Sequence, residues 1–269
     1  VEDITTDIND VLLTSTGGIS LNGNITTAVD SDETGATSGV VTLTGPVTLA
    51  GNTTIDTDST SNNGAVTFTS TVDGAKTLTV TSGSGAVEFG GNIGATTALG
   101  DVTVNSSAGT GTITFSGSVG ADAATAGAAV VTIGNADTAS ITFAGVEFTT
   151  SGAQTFTADA YSITGADSTF GSSNDNITFA DGGADGGITL ADIADLTITT
   201  EIGGSGGGNI AVNVPIAGTA GDGDDATDVT MTAGSGTITV EDITTDINDV
   251  LLTSTGGISL DGNVTTAVD

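Results

Sequence analysis

The side chains best able to do chemistry in this chain are carboxylates, and they gather in three groups: Asp30, Asp32 and Glu33; Asp181 with Asp185; and Asp222, Asp224 and Asp225 with Asp228. Acids spaced by Gly, Ser or Ala in turn-like stretches let several oxygens converge on one hard cation, and Ca²⁺ is the ion that suits them. The stretch GGADGGITL (182–190) has the glycines of a nine-residue calcium repeat without its full pattern. EF-hand spacing is absent. The same acids also have a use without any ion. Asp is a favoured turn residue, and solvated acidic loops keep a long surface apart from its neighbours. Both readings stand at the level of sequence. Nothing in the sequence requires a cofactor, and Ca²⁺ is the one candidate.

Catalytic groups are otherwise scarce. The chain has no His, Cys or Arg, which removes the usual general base, the thiol nucleophile and the guanidinium clamp. Two carboxylates at suitable spacing are enough for a glycosidase, and parallel β-helices do host polysaccharide-cleaving enzymes that use Asp. Substrate positioning normally draws on aromatic and basic side chains, and here there are one Tyr, eight Phe, no Trp and a single Lys. The expectation is a protein that is not an enzyme, with no catalytic residue. Lys76, in VDGAKTL, is either a cross-link donor at a turn or an ordinary surface residue. Five N-x-S/T triplets, at Asn24, Asn52, Asn105, Asn176 and Asn263, are acceptors for glycans in a secreted setting. A Thr-rich chain also produces such triplets by chance.

The charge balance narrows the partners. There are 33 acids, six of them Glu, against Lys76 alone, for a net charge of −32. Such a surface has nothing with which to hold a phosphate backbone, so nucleic acid is not expected as a partner. No apolar run approaches the roughly 18 residues of a membrane span, so membrane insertion of this segment is not expected. Without Cys, no disulfide holds the fold together.

The elements that must position these groups follow from a repeat. Residues 1–30 and 240–269 differ only at Asn22/Asp261 and Ile25/Val264, an offset of 239 residues. The chain therefore reads as one complete unit, 1–239, followed by the start of the next, 240–269, as in a window on a tandem array. A shorter rhythm runs inside the unit. Apolar pairs flanking one residue recur at Val66/Phe68, Val87/Phe89, Ile113/Phe115, Ile141/Phe143 and Ile177/Phe179, with weaker members at Ile19/Leu21, Val41/Leu43, Ile210/Val212 and Ile238/Val240 before Ile258/Leu260 restarts the series. Successive first positions lie 22, 25, 21, 26, 28, 36, 33, 28 and 20 residues apart. Further pairs, such as Leu78/Val80 and Val102/Val104, alternate apolar residues with Thr in the period-2 pattern of a half-buried strand. Turn clusters, among them SGSG (82–85) and GGSGGG (203–208), separate them.

Short strands of one chemistry at this spacing predict an all-β chain: a β-solenoid, or parallel β-helix, with about nine rungs per 239-residue repeat. The 36- and 33-residue steps then carry bulged loops or hide a tenth rung. Tandem β-sandwich modules are the alternative, but they want distinct strands and a large core residue such as Trp. In the solenoid, Val66, Phe68, Val87, Phe89, Ile113, Phe115, Ile141, Phe143, Ile177 and Phe179 point inward and stack. The seam ITVEDITTDI carries the strand pattern through without a linker, so neighbouring copies of the repeat are expected to stack on one another as one continuous rod.

The stretch GAVTFTSTVDGAKTLTVTSGSGAVEFGGNIGATTALGDVTVNSS (64–107) and SGAQTFTADAYSITG (151–165) resemble the giant β-strand-repeat surface proteins of bacteria, which look like relatives of filamentous-haemagglutinin-type β-solenoids. The resemblance is best over residues 40–165. It implies an extracellular or cell-surface location and a structural role in a repetitive fibre, with lateral bundling or cell-surface contact. An adhesin stalk is the alternative, and a β-helix carbohydrate-active enzyme a more distant one. It transfers no catalytic residue.

Overall fold

The computed structural model describes residues 1–6, 9–27, 38–59, 63–105, 109–120, 127–165, 167–184, 186–204, 206–219 and 227–266. Among them there is no helix and every pairing between named strands is parallel, which excludes the sandwich alternative. The chain coils around three faces. The first face is an eleven-stranded sheet running from Ile4–Thr5 to Ile258–Leu260. The second is ten-stranded, from Val11–Thr14 to Ile243–Thr244. The third begins with Ile19–Leu21, Val47–Leu49 and Val72–Asp73, passes through single-residue bridges at Ile93 and Val119, and continues from Glu147–Thr150 to Val250–Ser254. Each circuit visits the faces in that order, so the molecule is a parallel β-helix.

The reason these residues form these strands is visible in their burial. Along Val41–Thr44, Val66–Phe68 or Leu78–Thr81, the apolar residues are buried and the intervening Thr residues are only partly covered. A one-residue slip would turn the apolar set outward, so burial fixes the register. Residues of like shape then lie over one another: Val66, Val87 and Ile113 in one column of the second face, Phe68, Phe89 and Phe115 in the next. β-Branched and aromatic side chains suit this pleated, close-packed surface.

The interior is a narrow apolar column. Phe68 stacks on Phe89 at 4.9 Å between ring centroids, Phe89 on Phe115 at 5.0 Å, and Phe115 on Phe143 at 5.8 Å, all nearly coplanar in orientation. Above Phe143 the aromatic load moves to other faces. Phe148 and Phe170 come from the third face, Phe156 and Phe179 from the first, and they meet Phe143 and one another largely edge-on. The second face then supplies Ile163 directly over Phe143, which keeps the lumen filled without overpacking it. Ile177 and Phe179 thus stand on the first face, above Gln154 and Phe156, whereas the eight residues from Val66 to Phe143 in the same sequence series stand on the second.

The uneven steps of that series now have a cause. Ile19 is on the third face, Val41 to Ile141 on the second, and Ile177 to Ile258 on the first. The 22-residue step covers two thirds of a turn, and the 36-residue step covers one and two thirds. The 33-residue step, Ile177 to Ile210, is a single turn with longer corners.

Corners bring rungs into backbone contact. Gly74 has φ +120°, and a Cβ there would meet the Leu49 carbonyl oxygen one rung below at 2.5 Å, so only glycine fits. Polar side chains at buried strand positions include Thr53, in register with Leu78, Ser168, in register with Leu196, and Gln154, in register with Val131. Gln154 is fully buried, and its amide nitrogen donates to the carbonyls of Phe148 and Gly171 and to Thr150 Oγ1. It satisfies backbone acceptors that the strand ladder leaves open.

Candidate functional site

Many of the described Asn and Asp side chains stand at the corners, and a recurring arrangement there is a ladder of hydrogen bonds from rung to rung. At the corner leading into the first face, Asp3 Oδ1 accepts the Asn24 N–H at 2.7 Å and Asn24 Oδ1 accepts the Thr54 N–H at 2.8 Å. Asn52 Oδ1 takes the Thr77 N–H at 3.2 Å. Higher up, Asn176 Oδ1 accepts from Asn209 N at 2.8 Å, and Asn209 Oδ1 accepts from Thr237 N at 2.9 Å. The geometry recurs at the other corners: Asp10 Oδ1 with Val40 N at 2.9 Å and Asn92 Oδ1 with Ser118 N at 3.1 Å. The chain bends at each of these points, and the strand ladder cannot take up the corner N–H. A short side-chain carbonyl one rung below supplies the acceptor. Each such bond contributes on the order of 1 kcal/mol.

The ladder gives many acids a task that needs no ion. Asp and Asn serve in it alike, because only Oδ1 is used. At the corner leading into the third face, Asp167, Asp195, Asp228 and Asp249 occupy successive rungs, each just before a strand residue of the register Ser168, Leu196, Val229 and Val250. Asp195 Oδ1 accepts the Asp228 N–H at 2.8 Å, and Asp228 Oδ1 accepts the Asp249 N–H at 3.1 Å. This column of like charges, about 4.8 Å apart, has an electrostatic consequence. Partial burial, then the Asp228 and Asp167 carboxylates, raise the Asp195 pKa above its ordinary 3.8, against the lowering effect of its hydrogen bond.

Of the nine acids singled out as calcium candidates, the structure describes two. Asp181 ends the strand Ile177–Asp181, and its Oδ1 accepts the Gly183 N–H at 2.8 Å, a local turn. Asp228 belongs to the corner ladder. They lie at different corners. Asp30, Asp32, Glu33, Asp185, Asp222, Asp224 and Asp225 fall outside the described residues. Among the described residues, no group of three or more acids is placed to hold a metal ion.

Other candidates resolve in the same way. Lys76 is exposed at the corner leading into the first face, and its backbone N–H closes a turn on the Gly74 carbonyl at 2.7 Å. Asn105 is buried, with its side chain bonded to Ser82, so it is closed to glycan transfer in the folded chain. Tyr161 is buried against Phe179, and its hydroxyl donates towards the Phe156 and Ala180 carbonyls. Burial pushes its phenol above the usual range. A cavity of about 260 Å³ near the last rungs is lined by Glu201, Gly206, Gly234, Ser235 and Thr255, with one carboxylate and no partner group for acid–base work. The ladder was the feature the sequence reading missed. Its signal is an Asn or Asp immediately before an apolar-x-apolar pair, as at Asp10, Asn176, Asp195 and Asn209.

The described side chains therefore offer hydrogen-bond acceptors to their own backbone, not a convergent reactive centre. No known protein family, no curated protein and no solved structure matches this chain.

Proposed function

We propose that this chain is a structural segment of a repetitive extracellular or cell-surface fibre, a stiff rod made by stacking parallel rungs. The observation that carries the reading is the seam. The described part of the duplicated segment, residues 240–266, continues the stack without interruption: Ile238–Val240 pairs with Ile258–Leu260, and Val250–Ser254 lies on Val229–Gly234. The first copy's contacts are reproduced there. Asp242 Oδ1 accepts from Asn263 N at 2.6 Å, as Asp3 does from Asn24. A stack that passes through its own repeat boundary can be extended by copying the repeat, with no linker at which to hinge.

The acidic surface keeps such rods soluble. The location rests on the resemblance to bacterial surface repeats. The absence of His, Cys and Arg from the sequence speaks for a mechanical role over a catalytic one.

The test is immunolabelling. Antibodies raised against this chain should decorate intact, unpermeabilised cells or the fibres they shed. Label that appears only after permeabilisation would overturn the extracellular reading, and a parent gene with one unrepeated copy would overturn the fibre.

A further inference from the structure

The sequence repeat and the coil are out of step. Ile4–Thr5 lies on the first face, but its duplicate Ile243–Thr244 lies on the second. Val11–Thr14 is on the second face, and Val250–Ser254, which contains its duplicate, is on the third. Ile19–Leu21 is on the third, and Ile258–Leu260 is on the first of the following turn. Ile25 is on the first, and Val264 bridges to Ile243 on the second. All four segments shift by one face in the same sense. Following the strands upward, the 239-residue repeat makes nine complete turns and one third of another, about 26 residues per turn.

From this offset we infer that, in the tandem array, each copy is set one face round from the copy below it, so the rod regains its starting orientation only after three copies and 28 turns. The inference rests on the fibre reading above and adds to it the arrangement of the fibre's sides. An in-phase repeat would place every feature of the sequence on one side of the rod. Here the corner at Asn24, which leads into the first face, leads into the second face at its duplicate Asn263. The Lys76 corner moves round in the same way. A neighbouring rod or ligand that recognises one corner meets it on three sides in turn. The fibre is therefore three-sided and suited to lateral contact all round, not to a flat ribbon. The local chemistry allows the shift because all three faces use the same small set of strands: apolar, Thr, apolar. The sequence VLLT is seated equally well beside Val41–Thr44 on the second face and beside Val229–Gly234 on the third.

The chain has no Cys, so paired cysteines report the phase cleanly. Leu12 and its duplicate Leu251 are both exposed, at 65% and 58%. Leu251 is in register with Thr230 of the third face, and Leu12 with Thr42 of the second. Three double variants of the 269-residue chain would be labelled with pyrene maleimide: Leu12→Cys/Thr42→Cys, Thr230→Cys/Leu251→Cys and Ala217→Cys/Leu251→Cys. Adjacent rungs bring the labels within stacking distance, about 4.8 Å apart at the backbone. Strong excimer emission is expected from the first two variants and monomer emission alone from the third. Excimer from Ala217→Cys/Leu251→Cys, or its absence from Thr230→Cys/Leu251→Cys while Leu12→Cys/Thr42→Cys shows it, overturns the offset and leaves the rod standing. Failure of the Leu12→Cys/Thr42→Cys pair overturns the stacked rungs themselves, and with them the fibre reading.

Discussion

A carboxylate in this chain is worth more for the shape of its oxygen than for its charge, and Asp195 shows it. Its Oδ1 holds the Asp228 N–H, a task that Asn176 and Asn209 perform elsewhere as neutral amides. The negative charge adds repulsion from the Asp228 and Asp167 carboxylates in a partly buried setting. A group whose pKa is raised in the fold favours folding while protonated and loses that contribution as pH rises through the folded value. At neutral pH the contribution is gone. Asp195→Asn should therefore keep the hydrogen bond and stabilise the chain by about 0.5 kcal/mol, the scale of exposed charge pairs. The gain over wild type should shrink towards zero below the ordinary pKa of 3.8, as read by thermal melts across pH. A loss of stability at pH 7 would show that the charge itself is needed. Tyr161 gives the opposite end of the pH scale. Burial favours its neutral phenol, so its contribution is full below the ordinary value of 10.0 and lost as pH rises beyond it. As the chain's one Tyr, it is easily followed. Tyrosinate absorbance should stay low past pH 10.0 and rise only together with loss of the β-sheet circular dichroism. Titration at the ordinary value with the sheet intact would contradict the buried, hydrogen-bonded placement.

The rung is the element of this fold, and its energetics come from the columns. Phe89 has a ring on either side, at 4.9 and 5.0 Å, and is fully buried. Phe89→Ala would open a cavity between two rungs that the parallel ladder holds at fixed spacing, so little collapse is available. A loss of about 3–5 kcal/mol is expected in urea unfolding. Leu12→Ala, on an exposed outward position, should change stability by less than about 0.5 kcal/mol. Equal effects from the two would mean that the Phe column is not the core. How far this element was legible follows from the same residues. The alternation at Val66/Phe68 or Val87/Phe89 reveals strand, inward face and stacking, because period-2 burial leaves that pattern in the letters. It does not reveal which face a strand occupies. Ile141/Phe143 and Ile177/Phe179 read alike, yet one pair is on the second face and the other on the first. Face identity is set by corner lengths, which vary freely and carry no periodic signal. The ladder was hidden for a related reason. Asn24 and Asp3 look like turn residues, and their acceptor role appears only when the rung above is in place.

On the scale of the whole molecule, the account stands or falls on continuity through Val240. Parallel strands at about 4.8 Å and nine and a third turns give each copy about 45 Å of axial length. A string of separate modules would have hinges and a longer, variable contour. Electron cryomicroscopy of a chain carrying three tandem copies tests this most directly. The account predicts an unbranched rod of constant width, about 134 Å long for its 28 turns, with density unbroken at each position equivalent to Val240. A bend or gap recurring at those positions, or a contour beyond about 180 Å, would contradict it.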